Sequence, residues 1–561
     1  MTSLASAAAS LGRRITPPRA LAAVIFTLLA IIILATFRDY GNSWDERLQN
    51  AYGEKLLGYY TTGFDDRSAF SFLNLFLYGG FFDLLAALAN LISPFGTFET
   101  RHLLGGLIFL AGLLGGWKLT LLLAGERAAL IALACLVTTP LLYGHGFINP
   151  KDSPFAWLGL WTIYFGCRLI DTADGRMPPP MELRAIAARG RPPWGVIAGL
   201  AISLGLTVGT RVVGLIYLPI LAAVFAVSVL ARTMNGESPA AILQRMKNNA
   251  FPFAVAAILA IMTMALVWPW SVQKLTNIFA AFQAFEHFAF YPQVLWNGEL
   301  IRADAMPESY LLGLLALQLP EHVLVGLFAA VTAGILVRRE SIAALFSEPR
   351  AQQYLVLICS ALAPIAGYMG LKPTIYNGLR HFLFVVPPLV ILGAIGLDHA
   401  LSFAWRKGRA IGAVIGTLLI LGISRQIVIM SGLHPYQYVA YNALIGGIEG
   451  AESRFELDYW GITLAESARG LGAYLAKNPT GGATTGGIIH VFACGDRISA
   501  EPFLPPGTAL TEVIAEADFS VGMTGVLCQD HAERPGRTIF EVRRLGVQLG
   551  YVLDLRAPPQ N

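Results

Sequence analysis

The chain has 561 residues, 55% hydrophobic and 14% charged, with a formal net charge of +4. A soluble domain carries about 25% charged residues, and repeated apolar runs of about 17–25 residues are long enough to cross a bilayer. A soluble globular protein is therefore excluded, and so small a positive excess calls for no nucleic acid.

In chain order, the first apolar run, Leu21 to Phe37, follows Arg13, Arg14 and Arg19 and lacks an A-x-A cleavage site, which predicts an uncleaved first span. Further spans are predicted near 101–123, 128–142, 154–170, 194–209, 212–231, 251–268, 320–337, 351–370, 381–400 and 410–430, about eleven in all. Basic clusters fall on the N-terminal side: Arg127; Arg168, Arg176, Arg184, Arg189 and Arg191; Arg232, Arg245 and Lys247; Arg338 and Arg339; Arg406, Lys407 and Arg409. The positive-inside rule makes that side the cytoplasm. Residues 1–20 are then a cytoplasmic N-terminus and 21–430 the membrane domain. An odd number of spans places 431–561 outside the inner (cell) membrane.

Three external segments are longer than connectors need to be: 38–100, 268–310 and the tail. In the first, Trp44, Leu48, Tyr52 and Leu56 recur every four residues, which predicts an amphipathic surface helix. The apolar piece Phe70 to Ile92, with Asn74 and Asp83, reads as interfacial, because a span there would invert every later loop. The segment Trp268 to Tyr310 interleaves aromatics, prolines and polar residues, as at a headgroup boundary. In the tail, GIIHVFACG, DFSVGMTG, TIFEV and YVLDLR predict strands, and ITLAESARGLGAYLAKN a helix. The expected fold is an all-α polytopic membrane protein with a small C-terminal α/β extracytoplasmic domain. NPTGGATTGG is turn-rich but has no phosphate-loop spacing. Cys135, Cys167 and Cys359 belong to spans, while Cys494 and Cys528 in the tail are free to pair or not.

The charged residues divide by what else explains them. Ser43-Trp44-Asp45-Glu46 fits a capping box, which accounts for Glu46. Asp45 is left open between complementing the helix dipole and taking a proton from a hydroxyl. In GHGFINPKDSPF, a helix cap needs one polar residue, yet His145, Asn149, Lys151 and Asp152 crowd one loop at 143–153. Arg211, Arg380 and His381 sit at the external ends of spans, as snorkelling anchors or as holders of an anionic headgroup. External acids, external arginines and aromatic belts converge on one membrane face.

With WDE after the first span, ETRHLLGGL opening the second and the NPKDSP loop, the chain resembles GT-C glycosyltransferases of family 39, the protein O-mannosyltransferase and aminoarabinose-transferase kind. GTRVVGLIYLPI, VLWNGELIRADAMPESYLLGLLALQLP, GLRHFLFVVPPL and HPYQYVAYNALIGGIEGAESRFELDYWG extend the likeness over about residues 20–475. The resemblance implies a sugar carried on polyprenyl phosphate, and a glycolipid, polysaccharide or protein hydroxyl as acceptor. It implies Asp45 as general base supported by Glu46, and Asp152 as a second acid near the acceptor or an optional divalent cation. Arg380 and Arg211 would hold the lipid phosphate, with His381 standing where tyrosine is common. The family's Lys-Pro-Pro stretch in the first loop is not evident. The rival reading, a transporter or lipid flippase, needs ionisable residues at the bilayer midplane and paired broken helices.

Overall fold

The computed structural model describes residues 16–173, 193–286, 290–336, 342–478, 487–528 and 536–556. Arg13, Arg14, Arg176, Arg184, Arg189, Arg191, Arg338 and Arg339 lie outside the described residues, as does most of the NPTGGATTGG stretch.

The helices are α1 Pro17–Thr36, α2 Trp44–Thr61, α3 Phe81–Asn90, α4 Thr97–Ala124, α5 Glu126–Val137, α6 Pro140–Ile148, α7 Asp152–Ala173, α8 Trp194–Val208, α9 Tyr217–Met234, α10 Pro239–Val267, α11 Asn277–Glu286, α12 Ser309–Gln318, α13 Glu321–Leu336, α14 Pro349–Leu371, α15 Val386–Lys407, α16 Arg409–Leu433 and α17 Thr463–Lys477, with a few single-turn helices between them. Among the described residues, 7 helices are long and apolar enough to cross a membrane, or up to 9 if each of two bent pairs counts as one span. The molecule is a multi-pass membrane protein.

Each of the eleven predicted spans coincides with helix, but two, at 154–170 (α7) and 194–209 (α8), are not among those long and apolar enough to cross, and two more are bent pairs. The span expected at 128–142 is the pair α5–α6, bent by 60°, because Pro140 lacks an N–H to continue the ladder. The span expected at 320–337 is preceded by α12, from which α13 turns by 112° at Pro320. The 15-residue α8 is roughly 22 Å long, short of the ~30 Å hydrocarbon core. The piece at 70–92 yields two short 3₁₀ turns and the ten-residue α3, too short to span.

Burial separates centre from rim. The Arg380–Lys407 window is 83% buried, whereas that of α16 is 11% buried, leaving Leu418, Ile420 and Val428 for lipid. At one end of the bundle, Arg19 pairs with Glu126 and Arg127 with Asp398. At the other end, His434 meets Asp39 across 2.8 Å, and there the long connections gather.

Two sheets complete the fold. Gln293–Trp296 (β1) and Glu299–Arg302 (β2) form an antiparallel hairpin, where the sequence predicted only a boundary segment. Its turn is Asn297-Gly298, both with positive φ, the geometry a two-residue hairpin turn requires. The tail sheet has order β4-β3-β5-β7-β6, from Ile489–Cys494 (β3), Thr508–Thr511 (β4), Phe519–Met523 (β5), Arg537–Arg544 (β6) and Val547–Asp554 (β7). The strand β4 escaped the sequence reading; its TALT run is short and half-buried. Helix α17 packs Leu464 and Leu471 against Val491, Phe519, Val521 and Val552. Cys494 and Cys528 form a disulfide, their Cα atoms 5.7 Å apart. The domain is seated on the helical body by Arg544, which donates to the His434 carbonyl and pairs with Glu466 at 2.6 Å.

Candidate functional site

Helix α2 begins with Glu46 accepting from the Ser43 N–H at 2.8 Å and lying 3.2 Å from His102 Nε2. Glu46 is thus the buried capping-box acid, and it is not in the wall of the cavity described below. Its neighbour Asp45 points the other way. The Ser43 hydroxyl donates to the Ile148 carbonyl at 2.9 Å, which ties the start of α2 to the loop carrying Lys151. Lys151 Nζ lies 3.2 Å, and Arg380 Nη1 3.5 Å, from Asp45 Oδ2. Burial pushes the Asp45 carboxyl up, but Lys151 and Arg380 outweigh it and hold the group below its ordinary range. The same carboxylate, with Tyr78, keeps Lys151 charged against burial.

The loop expected at 143–153 shrinks to residues 149–151, since α6 runs to Ile148 and α7 starts at Asp152, and its cap is Asn149. Its Oδ1 accepts from the backbone N–H groups of Lys151 (3.2 Å) and Asp152 (2.8 Å). Capping is therefore not what Asp152 does. Its carboxylate pairs with Arg211 and accepts from Asn149 Nδ2 at 3.1 Å. Asn149 Nδ2 also donates to His145 Nδ1 at 3.0 Å, so the His145 proton sits on Nε2 and points at the Tyr459 hydroxyl, 3.0 Å away. The cluster at Asp152 consists of a guanidinium and an amide, which does not suit a divalent cation. Among the described residues, no group of three or more His, Cys, Asp or Glu side chains is placed to hold one.

Arg380 arrives on the turn Asn377-Gly378, both with positive φ. A Cβ at Gly378 would sit 2.9 Å from the Tyr459 ring, so the turn packs directly on that residue. The guanidinium lies between Tyr376 and Trp460, 4.8 and 4.9 Å from their ring centres. Tyr78 presents its face to Lys151 at 4.6 Å and to Arg211 at 6.0 Å. Behind Lys151, the Gln49 amide, turned with its nitrogen toward Asp83, accepts from Lys151 Nζ at 2.8 Å. Asp83 itself pairs with the fully buried Arg101 at 2.7 Å, yet burial still pushes its carboxyl up to about 6.

Two hollows meet here. A polar cavity of about 470 Å³ is walled by Trp44, Asp45, Gln49, Lys151, Arg380, Glu456 and Tyr459, and is closed by residues of β1 and of the loop after β5. An apolar groove of about 570 Å³ runs beside it along Val212, Ile216, Phe285, Pro364, Gly367 and Phe384, with Arg211 and His381 at its polar end. Tyr78 and Tyr376 belong to both. Of the residues singled out from sequence, Asp45, Lys151 and Arg380 line the cavity, and Arg211 and His381 line the groove. Asp152, Asn149 and His145 brace the wall from behind, and Glu46 stands apart. Sequence reasoning passed over Tyr78, Tyr376, Trp460 and Glu456; single aromatics and acids in YGG, IYNG and FELDYWG carry no spacing that marks them.

No protein-family model matches the chain, and no curated protein does. Among solved structures it is similar to ArnT from Cupriavidus metallidurans in the apo state, at 13% identity over 96% of this chain and 99% of that one, TM-score 0.47. The same protein bound to undecaprenyl phosphate aligns at 12% identity over 95% and 97%, TM-score 0.46. The archaeal oligosaccharyltransferase AglB from Archaeoglobus fulgidus, in complex with an inhibitory peptide and a dolichol-phosphate, aligns at 11% identity over 94% and 74%, TM-score 0.45. Likenesses this distant carry no functional argument; the chemistry has to come from the site.

Proposed function

We propose that the chain is a membrane glycosyltransferase that moves a sugar from a polyprenyl-phosphate donor to an acceptor hydroxyl on the extracytoplasmic face. One observation carries the reading: Lys151 and Arg380 in the polar cavity and Arg211 in the adjoining apolar groove gather around Tyr78 and Tyr376, which both hollows share. An amphiphile with an anionic junction fits that seam, its chain in the groove, its phosphate among the cations and its polar group in the cavity. Three cations face two carboxylates, Asp45 and Asp152, which leaves one positive charge for the phosphate.

Asp45 is the general base. Its carboxylate pairs with Lys151 and Arg380. An incoming phosphate competes for the same cations, which frees Asp45 and raises its proton affinity. The acceptor hydroxyl gives its proton to Asp45 as its oxygen forms the bond to the anomeric carbon. The bond from that carbon to the phosphate oxygen breaks, and its electron pair leaves on the phosphate. The cations stabilise that charge, a contribution of about 3 kcal/mol per well-placed donor. Direct displacement inverts the anomeric centre; a product with retained configuration refutes this route.

The test compares envelope glycans of a deletion strain complemented with wild type or Asp45→Asn. Loss of one sugar in the deletion, restored by wild type alone, supports the transferase and names its sugar. Full restoration by Asp45→Asn would leave Asp45 a helix-start residue and the reading without its base.

A further inference from the structure

The wall of the polar cavity holds a second carboxyl that the mechanism above does not use. Glu456 lines the cavity, and its Oε2 is sealed from solvent with no hydrogen-bond partner among the described residues. Such an atom is costly to bury, by about 1–3 kcal/mol, and an unsatisfied buried group calls for an explanation; Glu456 as a whole is only half-buried, so the carboxyl reaches the cavity through its remaining surface.

Nor is the residue loosely held. On one side, Phe455 pairs with Trp296 of β1 as a β-bridge, and Gly298 N–H donates to the Arg454 carbonyl at 3.0 Å. On the other, Asp458 accepts from the Thr463 N–H at 3.0 Å and from the Tyr438 hydroxyl. Two fixed points, three residues apart, aim the side chain between them. Tyr310, Tyr441 and Tyr459 are close enough to feel its charge. Arg380 is the cation that acts on it, but forms no ion pair with it.

We propose that Glu456 recognises a carbohydrate hydroxyl inside the polar cavity, acting as a hydrogen-bonding residue opposite the phosphate-facing cations. This deepens the transferase reading and rests on it. The chemistry favours a hydroxyl over a cationic ligand. Burial pushes the Glu456 carboxyl up to about 8 against the pull of Arg380, so it is neutral at pH 7 and both donates and accepts. A sugar hydroxyl does the same, and the Tyr459 and Tyr376 rings in the cavity wall suit the apolar face of a pyranose or furanose. An ammonium would need an ionised carboxylate, which this site disfavours.

The experiment uses full-length chain in membranes, the sugar being the one lost from the deletion strain, with Glu456→Met and Glu456→Gln. For Glu456→Met we expect KM to rise about tenfold or more, the worth of one lost hydrogen bond to a substrate hydroxyl, with kcat within about threefold. Glu456→Gln, whose amide still donates and accepts, restores most of the affinity. A rise in donor KM places the hydroxyl on the transferred sugar, and a rise in acceptor KM places it on the acceptor. The melting temperature of Glu456→Met should hold or rise, since an unpartnered buried group has been removed. Unchanged KM for both substrates overturns the inference, as does a fall in melting temperature that accounts for the lost activity. Loss of kcat in Glu456→Gln overturns it too, because that would make the residue a proton carrier. If wild type transfers no sugar, the parent reading fails first, and the deletion strain shows that independently.

Discussion

The polar cavity and the apolar groove share Tyr78 and Tyr376, yet they are built on different principles. The groove is lined mainly by apolar side chains of α9, α11, α14 and the 3₁₀ turns and loop beside them. The cavity is made by loops and helix starts that bring Asp45, Lys151 and Arg380 together, with the Asp152–Arg211 pair behind the wall and at the groove's polar end. Burying that many charges lowers stability relative to an apolar core of the same shape. Chains keep such arrangements where the charges act on something. In the groove a substitution acts through shape; in the cavity it acts through charge.

The sharpest way to break that contrast is Asp45→Asn. Turnover should fall by about 10²–10⁴-fold, the range for losing a general base. Binding of sugar-free polyprenyl phosphate should hold or tighten, because a competitor for Lys151 and Arg380 has gone. A parallel loss of both, read by titration of the purified chain, would mean that Asp45 organises the site without acting in it.

Arg380→Gln comes next. Losing a charge-assisted contact of about 2–3 kcal/mol weakens polyprenyl-phosphate binding roughly 30- to 140-fold. Arg380→Lys should recover little, since the flat guanidinium lies between Tyr376 and Trp460 and a lysine cannot reproduce that stacking. Full rescue by lysine would reduce the residue to a point charge.

The groove gives a smaller effect of another kind. Gly367 lines it, and a Cβ there meets no atom within 4 Å. Gly367→Leu should improve helix propensity slightly while filling groove volume. Long-chain polyprenyl phosphate should bind about three- to tenfold more weakly, with a short-chain analogue unaffected. Equal weakening of both chain lengths would show that the groove does not hold the lipid tail.

How far the sequence foretold this follows from what each feature depends on. Apolar runs are local, so the helices at the predicted spans, the helix α2 and four of the five tail strands could be read from their own residues, although Leu48 of the predicted α2 face is exposed. The capping box foretold Glu46 because its partners lie within three residues. Bends escaped where a proline broke a continuous apolar run, as at Pro140. The β1–β2 hairpin escaped although its Asn297-Gly298 turn is a local signal, because the surrounding aromatics suggested a membrane boundary. The site was half legible. Charged residues at span ends stand out, but that Asn149 caps α7 and releases Asp152 to Arg211 depends on a contact across 59 positions. Glu456 gives no sign of itself in FELDYWG; only the fold shows that it stands in the cavity wall with its Oε2 sealed and without a partner.

That unpartnered state has a consequence that can be read without any substrate. The Glu456 carboxyl titrates at about 8 in the folded chain and at about 4.3 when unfolded. Between those values the folded state binds the extra proton, so its contribution to stability is full below about pH 4.3 and is lost as pH rises through 8. The charged and titratable groups acting on it are Arg380, Tyr310, Tyr441 and Tyr459. Arg380 stays charged over this window, and the tyrosines, held above their ordinary range mainly by burial, stay neutral, so none of them confuses the sign. Glu456→Gln does not titrate. Thermal unfolding of the purified full chain should therefore give nearly equal melting temperatures for wild type and variant at pH 5, and a more stable variant at pH 8. Melting curves that stay parallel across that range would mean that the carboxyl is ionised and solvated, and the cavity would then have no neutral acid to offer a sugar.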